Sequence, residues 1–82
     1  MTTWKDKLRL KDGESLELER RYMEGFMQET DVEVYRIVSY TGEVTGRVKY
    51  TDHTAVRGFR RTIRVVQTDA NGDTVVDEPL SE

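Results

Sequence analysis

A run of cations between residues 46 and 64 is the part of this sequence best suited to bind a charged ligand. It holds six bases against one acid, so its formal charge is +5. Five of the six are arginines, whose planar guanidinium groups match the geometry of phosphate. Basic strands that also carry aromatic rings are typical of proteins that bind single-stranded nucleic acid. The predicted binding patch consists of Arg47, Lys49, Tyr50, Arg57, Arg60, Arg61 and Arg64.

The acidic residues 65–82 offer these bases a partner within the same chain. That stretch holds five acids and no base, and an Asn-Gly pair within it favours a tight hairpin turn. The turn predicts a register with Val66 opposite Asp77, which leaves Arg64 diagonal to Asp77 on one face. The whole chain has a net charge of −3 and a pI near 5.2, whereas nucleic-acid-binding domains typically have a pI above about 9. We therefore expect the arginines to serve structure or protein contacts, with nucleic-acid binding as the alternative.

Residues that could perform catalysis or hold a metal are few. The single histidine, His53, follows Asp52, but adjacent residues of a strand point to opposite faces and cannot form a His–carboxylate pair. A segment at 69–73 resembles the start of a calcium-binding loop, yet Thr74 and Leu80 stand where such a loop needs a glycine and a glutamate. The chain has no cysteine, which excludes disulfides and thiolate chemistry. We expect no enzyme activity, no catalytic residue, no metal and no cofactor.

Length and composition favour one small domain. With 82 residues, of which 35% are hydrophobic, the chain has room for one thin core. We expect a single domain over residues 1–82 with flexible termini at 1–6 and 79–82. The sequence contains neither a run of about 20 apolar residues that could span a membrane nor the apolar stretch of a secretory signal. It therefore favours a soluble cytoplasmic protein of bacterial or phage-like origin.

The composition changes near residue 30, and the change indicates two kinds of secondary structure. Residues 4–29 contain no valine, isoleucine or threonine, whereas 19 of the 45 residues from 32 to 76 are of these three types. β-Branched side chains favour strands and lose rotamer freedom in helices. The first stretch is therefore predicted to be helical and the second to form a sheet.

The predicted helix covers residues 15–29. On a helical projection Leu16, Met23 and Met27 lie within about 40° of one another. Phe26 extends the same face. We expect this apolar face to pack on the sheet and to form part of the core.

An alternative for residues 8–18 is a β-hairpin around an Asp-Gly turn, which pairs Leu10 with Leu16. The stretch from Leu10 to Glu14, followed by Leu16, resembles the first hairpin of Sm-like barrels and of small Rho-inhibitor proteins built on that barrel. The resemblance covers only this short segment and carries no function across. It implies an alternative fold, an all-β, small, partly closed barrel with an N-terminal hairpin.

Alternation and turn signals predict four strands, at residues 32–40, 44–51, 59–68 and 74–78. A three-residue turn after Tyr40 places that residue opposite Val44. The same register places Val34 opposite Tyr50. The predicted fold class is α+β, with one amphipathic helix packed on a four-stranded antiparallel meander sheet.

The function expected from these features is that of a non-enzymatic binding or accessory module, of a regulatory kind, that acts through protein–protein interaction. Its partner would be another protein or a second copy of the chain. The alternative function is nucleic-acid binding through the arginine-rich segment at residues 47–64. No feature of the sequence favours binding to a membrane.

Overall fold

The computed structural model describes residues 4–27, 29–54 and 61–80. A short 3-10 helix, Trp4–Lys7, precedes five strands that form one antiparallel sheet in sequence order, so each strand pairs with the next along the chain. The strands are β1 (Ser15–Glu24), β2 (Thr30–Val38), β3 (Val44–Thr54), β4 (Arg61–Asp69) and β5 (Thr74–Leu80). The described part contains no helix long and apolar enough to cross a membrane.

The α+β prediction is wrong, because the described residues contain no α-helix and the fold is all-β. Of the residues predicted to form the helix, 15–24 instead make up β1 and 25–27 lie in the turn that follows it. In β1, Leu16 pairs with Ile37 of the neighbouring strand. Glu, Leu, Arg and Met favour helices by only a few tenths of a kcal/mol per residue, so pairing with β2 outweighs their preference.

The alternative N-terminal hairpin is also absent from the structure. The Asp-Gly turn does form, with the Glu14 backbone N–H donating to the Lys11 carbonyl at 3.0 Å. The strand that leaves the turn pairs with β2, however, and not with the residues before the turn. In the described part, β1 and β5 lie at opposite ends of the strand order, so the sheet is open rather than a partly closed barrel.

A β-bulge interrupts β1 at Glu19. Leu18 pairs with Tyr35 and Arg20 pairs with Val34, so Glu19 is an extra residue with none opposite it on β2. Its carboxylate lies 3.5 Å from the guanidinium of Arg47, which places its side chain on the same face as that of Arg20. The bulge therefore breaks the two-residue alternation of the strand in its middle.

The four predicted strands correspond to β2, β3, β4 and β5, but one of the two predicted hairpin registers is wrong. The β4–β5 register is confirmed, since Val66 faces Asp77 and Arg64 faces Pro79. In the β2–β3 hairpin Tyr50 faces Glu33 rather than the predicted valine. A shift of one residue moves a side chain to the other face of its partner strand.

Most of the core lies on one face of the sheet, which we call the covered face because the segment before β1 packs on it. Ile37, Val48 and Val65 form its buried centre, and Trp4 and Leu8 pack against them. The opposite face, which we call the far face, also buries Val32 and Val34 of β2. The pairing register and the alternation of side chains assign all the remaining strand residues to one of these two faces.

A single buried side chain ties the N-terminal segment to the sheet. Gln67 of β4 accepts a hydrogen bond from the Arg9 backbone N–H and donates one to the Arg9 carbonyl, each at 2.8 Å. The amide is only 4% exposed and both of its polar atoms are paired, which removes the penalty of burying it.

The contact between β3 and β4 requires a glycine at position 46. A β-carbon placed on Gly46 would overlap the backbone carbonyl oxygen of Thr68 and would touch Ile37. The two strands can therefore approach closely only because residue 46 has no side chain.

Candidate interaction surface

The structure divides the predicted binding patch between the two faces of the sheet. Adjacent residues of a strand point to opposite faces, and the patch draws on both sets of positions in β3 and β4. Three of its members are therefore on the far face, two are on the covered face and two are outside the described residues. The far face carries Arg47, Lys49 and Arg64, and the covered face carries Tyr50 and Arg61. Arg57 and Arg60 are the two outside the described residues.

Three arginines of the predicted patch form ion pairs with carboxylates. On the far face Arg64–Asp77 joins the neighbouring strands β4 and β5, and Arg47–Glu19 reaches across β2 from β3 to β1. The third pair lies on the covered face. Each pair uses positive charge that the patch would otherwise offer to a phosphate. The N–O distances are 3.5 Å for Arg47–Glu19, 2.6 Å for Arg64–Asp77 and 2.7 Å for Arg61–Asp52.

The Arg64–Asp77 pair is the diagonal contact that the β4–β5 turn predicts. Both nitrogens of the guanidinium fork, Nε and Nη2, donate to the carboxylate, at 2.8 and 2.6 Å. These hydrogen bonds lower the pKa of Asp77 below its ordinary value and raise the pKa of Arg64. The acidic strand thus neutralises part of the basic one, as the charge pattern predicts.

Tyr50 is partly buried on the covered face, where its ring packs against another aromatic side chain. Its ring centroid lies 4.9 Å from that of Trp4, whose indole also lies 5.2 Å from Tyr35. Burial raises the pKa of Tyr50, and burial followed by a hydrogen bond to Glu33 raises the pKa of Tyr35 to about 12. Tyr50 is therefore part of the core cover rather than a free stacking surface.

Two cations of the far face have no carboxylate within ion-pair distance in the described part of the chain. Arg20 lies over the ring of Tyr22, with its guanidinium carbon 5.5 Å from the ring centroid. Lys49 stands in the same row across the sheet, separated from Arg20 by Val34. A shallow cleft of about 250 Å³ lies among these side chains and Val66.

The residues considered for catalysis and metal binding take part in local structure. The Nδ1 atom of His53 lies 2.6 Å from the Thr30 hydroxyl, while Asp52 binds Arg61 on the opposite face. One carboxylate oxygen of Asp69 accepts hydrogen bonds from two backbone N–H groups of its own turn. The described residues contain no cluster of three or more metal-ligating side chains.

Exposed apolar side chains concentrate at the tip of the β1–β2 hairpin. Met23 is 52% exposed, Met27 is 64% exposed and Phe26 is 99% exposed, and we call these three residues the tip patch. Met23 is near the end of β1, and Phe26 and Met27 lie in the turn that begins at Gly25, whose φ of +98° favours glycine. The prediction that this apolar set forms core is therefore wrong.

A second exposed apolar group, which we call the turn patch, lies at the opposite end of β1. It consists of Leu10, Tyr40 and Val44, of which Tyr40 is 86% exposed. The Tyr40 ring lies beside Gly13, just before β1 begins, since a β-carbon on that glycine would stand 3.2 Å from the ring. The two patches are therefore separated by the length of β1.

The two edges of the sheet differ in how they present their backbone. The β1 edge carries apolar residues and charges of both signs, and Leu18 near its middle is half-exposed. The β5 edge carries acids and a proline, Asp77, Glu78 and Pro79. Proline lacks an N–H donor and repeated like charges repel, so β5 is poorly suited to pair with another strand.

The sequence analysis did not predict the β1 edge or the tip patch, because the predicted helix placed the methionines and Phe26 against the sheet. The signal that could have revealed them is Gly25, because an isolated glycine weakens a helix prediction and glycine often marks a turn. Comparison of the chain with protein-family models, with curated proteins and with solved structures gave no match. Function must therefore be argued from the surface itself.

Proposed function

We propose that this protein is a non-enzymatic interaction module that binds another protein chain through β1 and the tip patch. The observation that carries the proposal is Phe26, an aromatic side chain that is 99% exposed between two exposed methionines. Large apolar groups clustered at one point of a small domain mark contact surfaces more often than scattered single residues do. Aromatic residues and methionine are also enriched at protein interfaces.

The edge of β1 supports the same function. A strand at the edge of a sheet presents a row of backbone N–H and C=O groups that an extended segment of another chain can pair with. On β1 these groups lie between a mainly apolar face, which also carries Arg21, and a face with charges of both signs. Such an edge gives affinity through main-chain hydrogen bonds and selectivity through the side chains beside them.

Photo-crosslinking in the cells that make this protein tests the proposal. The photoreactive residue p-benzoylphenylalanine replaces Phe26 in one variant and Thr74, an exposed residue at the start of β5, in a matched control. The expected result is a protein adduct at position 26 that is absent at position 74. Equal labelling at both positions, or no protein adduct at position 26, would contradict the proposal.

Binding of single-stranded nucleic acid is a second candidate function, which rests on the far face. Arg20 and Lys49 are cations without an ion pair in the described part, and they border a cleft that also contains Tyr22. Fluorescence anisotropy of a labelled oligonucleotide at about 50 and 200 mM salt tests it, since phosphate contacts weaken steeply with salt. Salt-sensitive binding that Lys49→Glu abolishes would support this function, and a flat titration would exclude it.

A further inference from the structure

We propose that the chain occupying the β1 edge is a second copy of this protein, whose β1 pairs antiparallel with the first about a two-fold axis between Glu19 and Arg20. This inference rests on the proposed function, because it identifies the partner of the β1 edge. The two copies would form one continuous sheet of ten strands.

The bulge determines which register is compatible with such a pair. When two identical strands pair about a two-fold axis perpendicular to the sheet, opposite residues must belong to the same face. On β1 the covered-face residues before the bulge are even-numbered and those after it are odd-numbered, as for Leu16 and Met23. A residue before the bulge therefore shares a face with a residue after it only when one number is even and the other odd. The numbers of two opposite residues must add to an odd sum.

Among the registers with an odd sum, the one in which the two residue numbers add to 39 places residues of the same face opposite each other at every pair. Shifting the copies by two residues in either direction places residues of different faces opposite each other at the centre of the pairing. In the matching register the four pairs, each occurring twice, are Leu16 with Met23, Glu17 with Tyr22, Leu18 with Arg21, and Glu19 with Arg20.

Two of the four pairs are complementary in that register. Glu19 of each copy lies opposite Arg20 of the other on the far face, which gives two ion pairs at the centre. Leu16 lies opposite Met23 on the covered face and extends the apolar surface across the join. A bulge usually protects an edge by twisting it, but here the two bulges meet at the axis and both strands twist alike.

The two exposed apolar patches support the same arrangement. Beyond β1 both chains turn, but antiparallel pairing still places Phe26 of one copy at the same end of the joined strands as Gly13 of the other. Gly13 is the residue against which the Tyr40 ring lies, so the tip patch of each copy lies at the same end as the turn patch of the other. The pairing thus brings the two groups of exposed apolar side chains together, once at each end of the joined strands.

Charge reversal with complementation tests the register. Glu19→Arg gives a chain with Arg at positions 19 and 20, and Arg20→Glu gives a chain with Glu at both. When either variant pairs with itself, residue 19 of each copy lies opposite a residue 20 of the same charge. We therefore expect dimerisation at least about tenfold weaker than that of the unchanged chain. Mixed one to one, the two variants should form a heterodimer, because every Arg then faces a Glu.

Sedimentation velocity over a concentration series to about 1 mM measures the association, and circular dichroism checks that each variant keeps its sheet. Glu78→Arg on β5 is the matched control, since it makes the same charge change on the other edge and should leave the dimer intact. The double variant Glu19→Arg/Arg20→Glu should dimerise like the unchanged chain. It also controls for the Glu19–Arg47 contact, which Glu19→Arg removes in every combination.

A chain that stays monomeric to about 1 mM would overturn the inference, and so would single variants that dimerise unchanged or a mixture that forms no heterodimer. These failures are distinct from failure of the proposed function. A monomeric chain that still crosslinks through position 26 to another protein would retain the interaction module and exclude the second copy as its partner. An adduct between two copies of this chain at position 26 would support both proposals.

Discussion

The two edges of this sheet are built from different residues, and the difference indicates which of them is available for pairing. The β1 edge has ten residues, with acids on both sides of its bulge and two arginines directly after it. The β5 edge has seven residues, of which two are acids and one is a proline. An antiparallel strand pairs with its own copy more favourably when it carries charges of both signs or none, because like charges directly opposite each other are destabilising. The β1 edge meets that condition, and the β5 edge does not.

The comparison also shows that the protection of an edge is local. The two strands share one sheet and one core, and they differ mainly in charge pattern and in the presence of Pro79. Such features cost little stability because they lie on exposed positions. A few substitutions should therefore exchange the behaviour of the two edges without unfolding the sheet.

The largest effect is expected from a change in the middle of the sheet, which both edges depend on. Gly46→Ala places a methyl group against the Thr68 carbonyl, so β3 and β4 must separate. We expect the free energy of unfolding to fall by about 1–3 kcal/mol. Thermal or urea denaturation measures this. Lys49→Ala, an exposed change on the same strand, should shift it by no more than about 0.5 kcal/mol.

Removing the protection of β5 should give the sheet a second usable edge. The double change Glu78→Thr/Pro79→Thr supplies the missing N–H donor and removes one of the acids. Copies that pair through both edges add to one another without limit, so we expect assemblies larger than a dimer. Light scattering on a gel-filtration column measures the mass. Glu43→Thr in the β2–β3 turn is the control, and an unchanged mass for the double variant would show that other residues protect β5.

Removing one aromatic ring should weaken the β1 pairing at its ends. Phe26→Ser and Tyr40→Ser each delete one side of the proposed contact between the tip patch and the turn patch. We expect each to weaken dimerisation about tenfold, with little change in melting temperature because both rings are exposed. Ala70→Ser, at the corresponding position of the β4–β5 turn, should change neither. Sedimentation measures the association, and unequal effects of the two substitutions would argue against their direct contact.

The smallest effect concerns the acid dependence of β5. The pKa of Asp77 is lowered in the folded protein by hydrogen bonds from Arg64, so the pair stabilises the fold while the carboxylate is ionised. That contribution is lost as the pH falls through the lowered pKa. We expect the melting temperature of Asp77→Asn to fall less between pH 7 and about pH 2 than that of the unchanged chain. Parallel curves would show that the pair contributes nothing.

The β4–β5 register could be predicted from the sequence because Gly72 marks its turn. The turn is closed by hydrogen bonds from Gly72 N–H to the Asp69 carbonyl and from Asp69 N–H to the Asp73 carbonyl. The β2–β3 turn has the same two bonds, with Gly42 at φ +89° in the place of Gly72 at φ +86°. A two-residue turn with Gly42 at its second position, as Gly72 has in the β4–β5 turn, would have given the correct β2–β3 register. The predicted three-residue turn shifted that register by one residue.

The first strand could not be predicted from local preference, and the reason is its bulge. Because the alternation changes phase at Glu19, Leu16 and Met23 share a face although they are seven residues apart. A spacing of seven is also that of two helical turns, so the pattern matches a helix. Only the long-range pairing with β2 decides between the two structures, and the local pattern of residues 15–29 does not show that pairing.

The candidate surfaces were predictable only in part. The Arg64–Asp77 ion pair could be predicted from the opposite charges of the two adjacent strands, because only the register of their hairpin was needed to place the two residues together. The tip patch was missed because exposure depends on tertiary packing, and the same side chains would have been core in the predicted helix. The division of the arginine patch between two faces follows from strand alternation once β3 and β4 are placed.

The double hydrogen bond between Gln67 and the Arg9 backbone has a consequence for motion. The segment before β1 is joined to β4 there through a side chain, so it can lift away without breaking a hydrogen bond between two strands. We therefore expect the backbone N–H of Arg9 to exchange with deuterium through a local opening, faster than the central amides of β3, whose exchange requires the sheet itself to open. Each such opening would transiently wet Val48 and Val65.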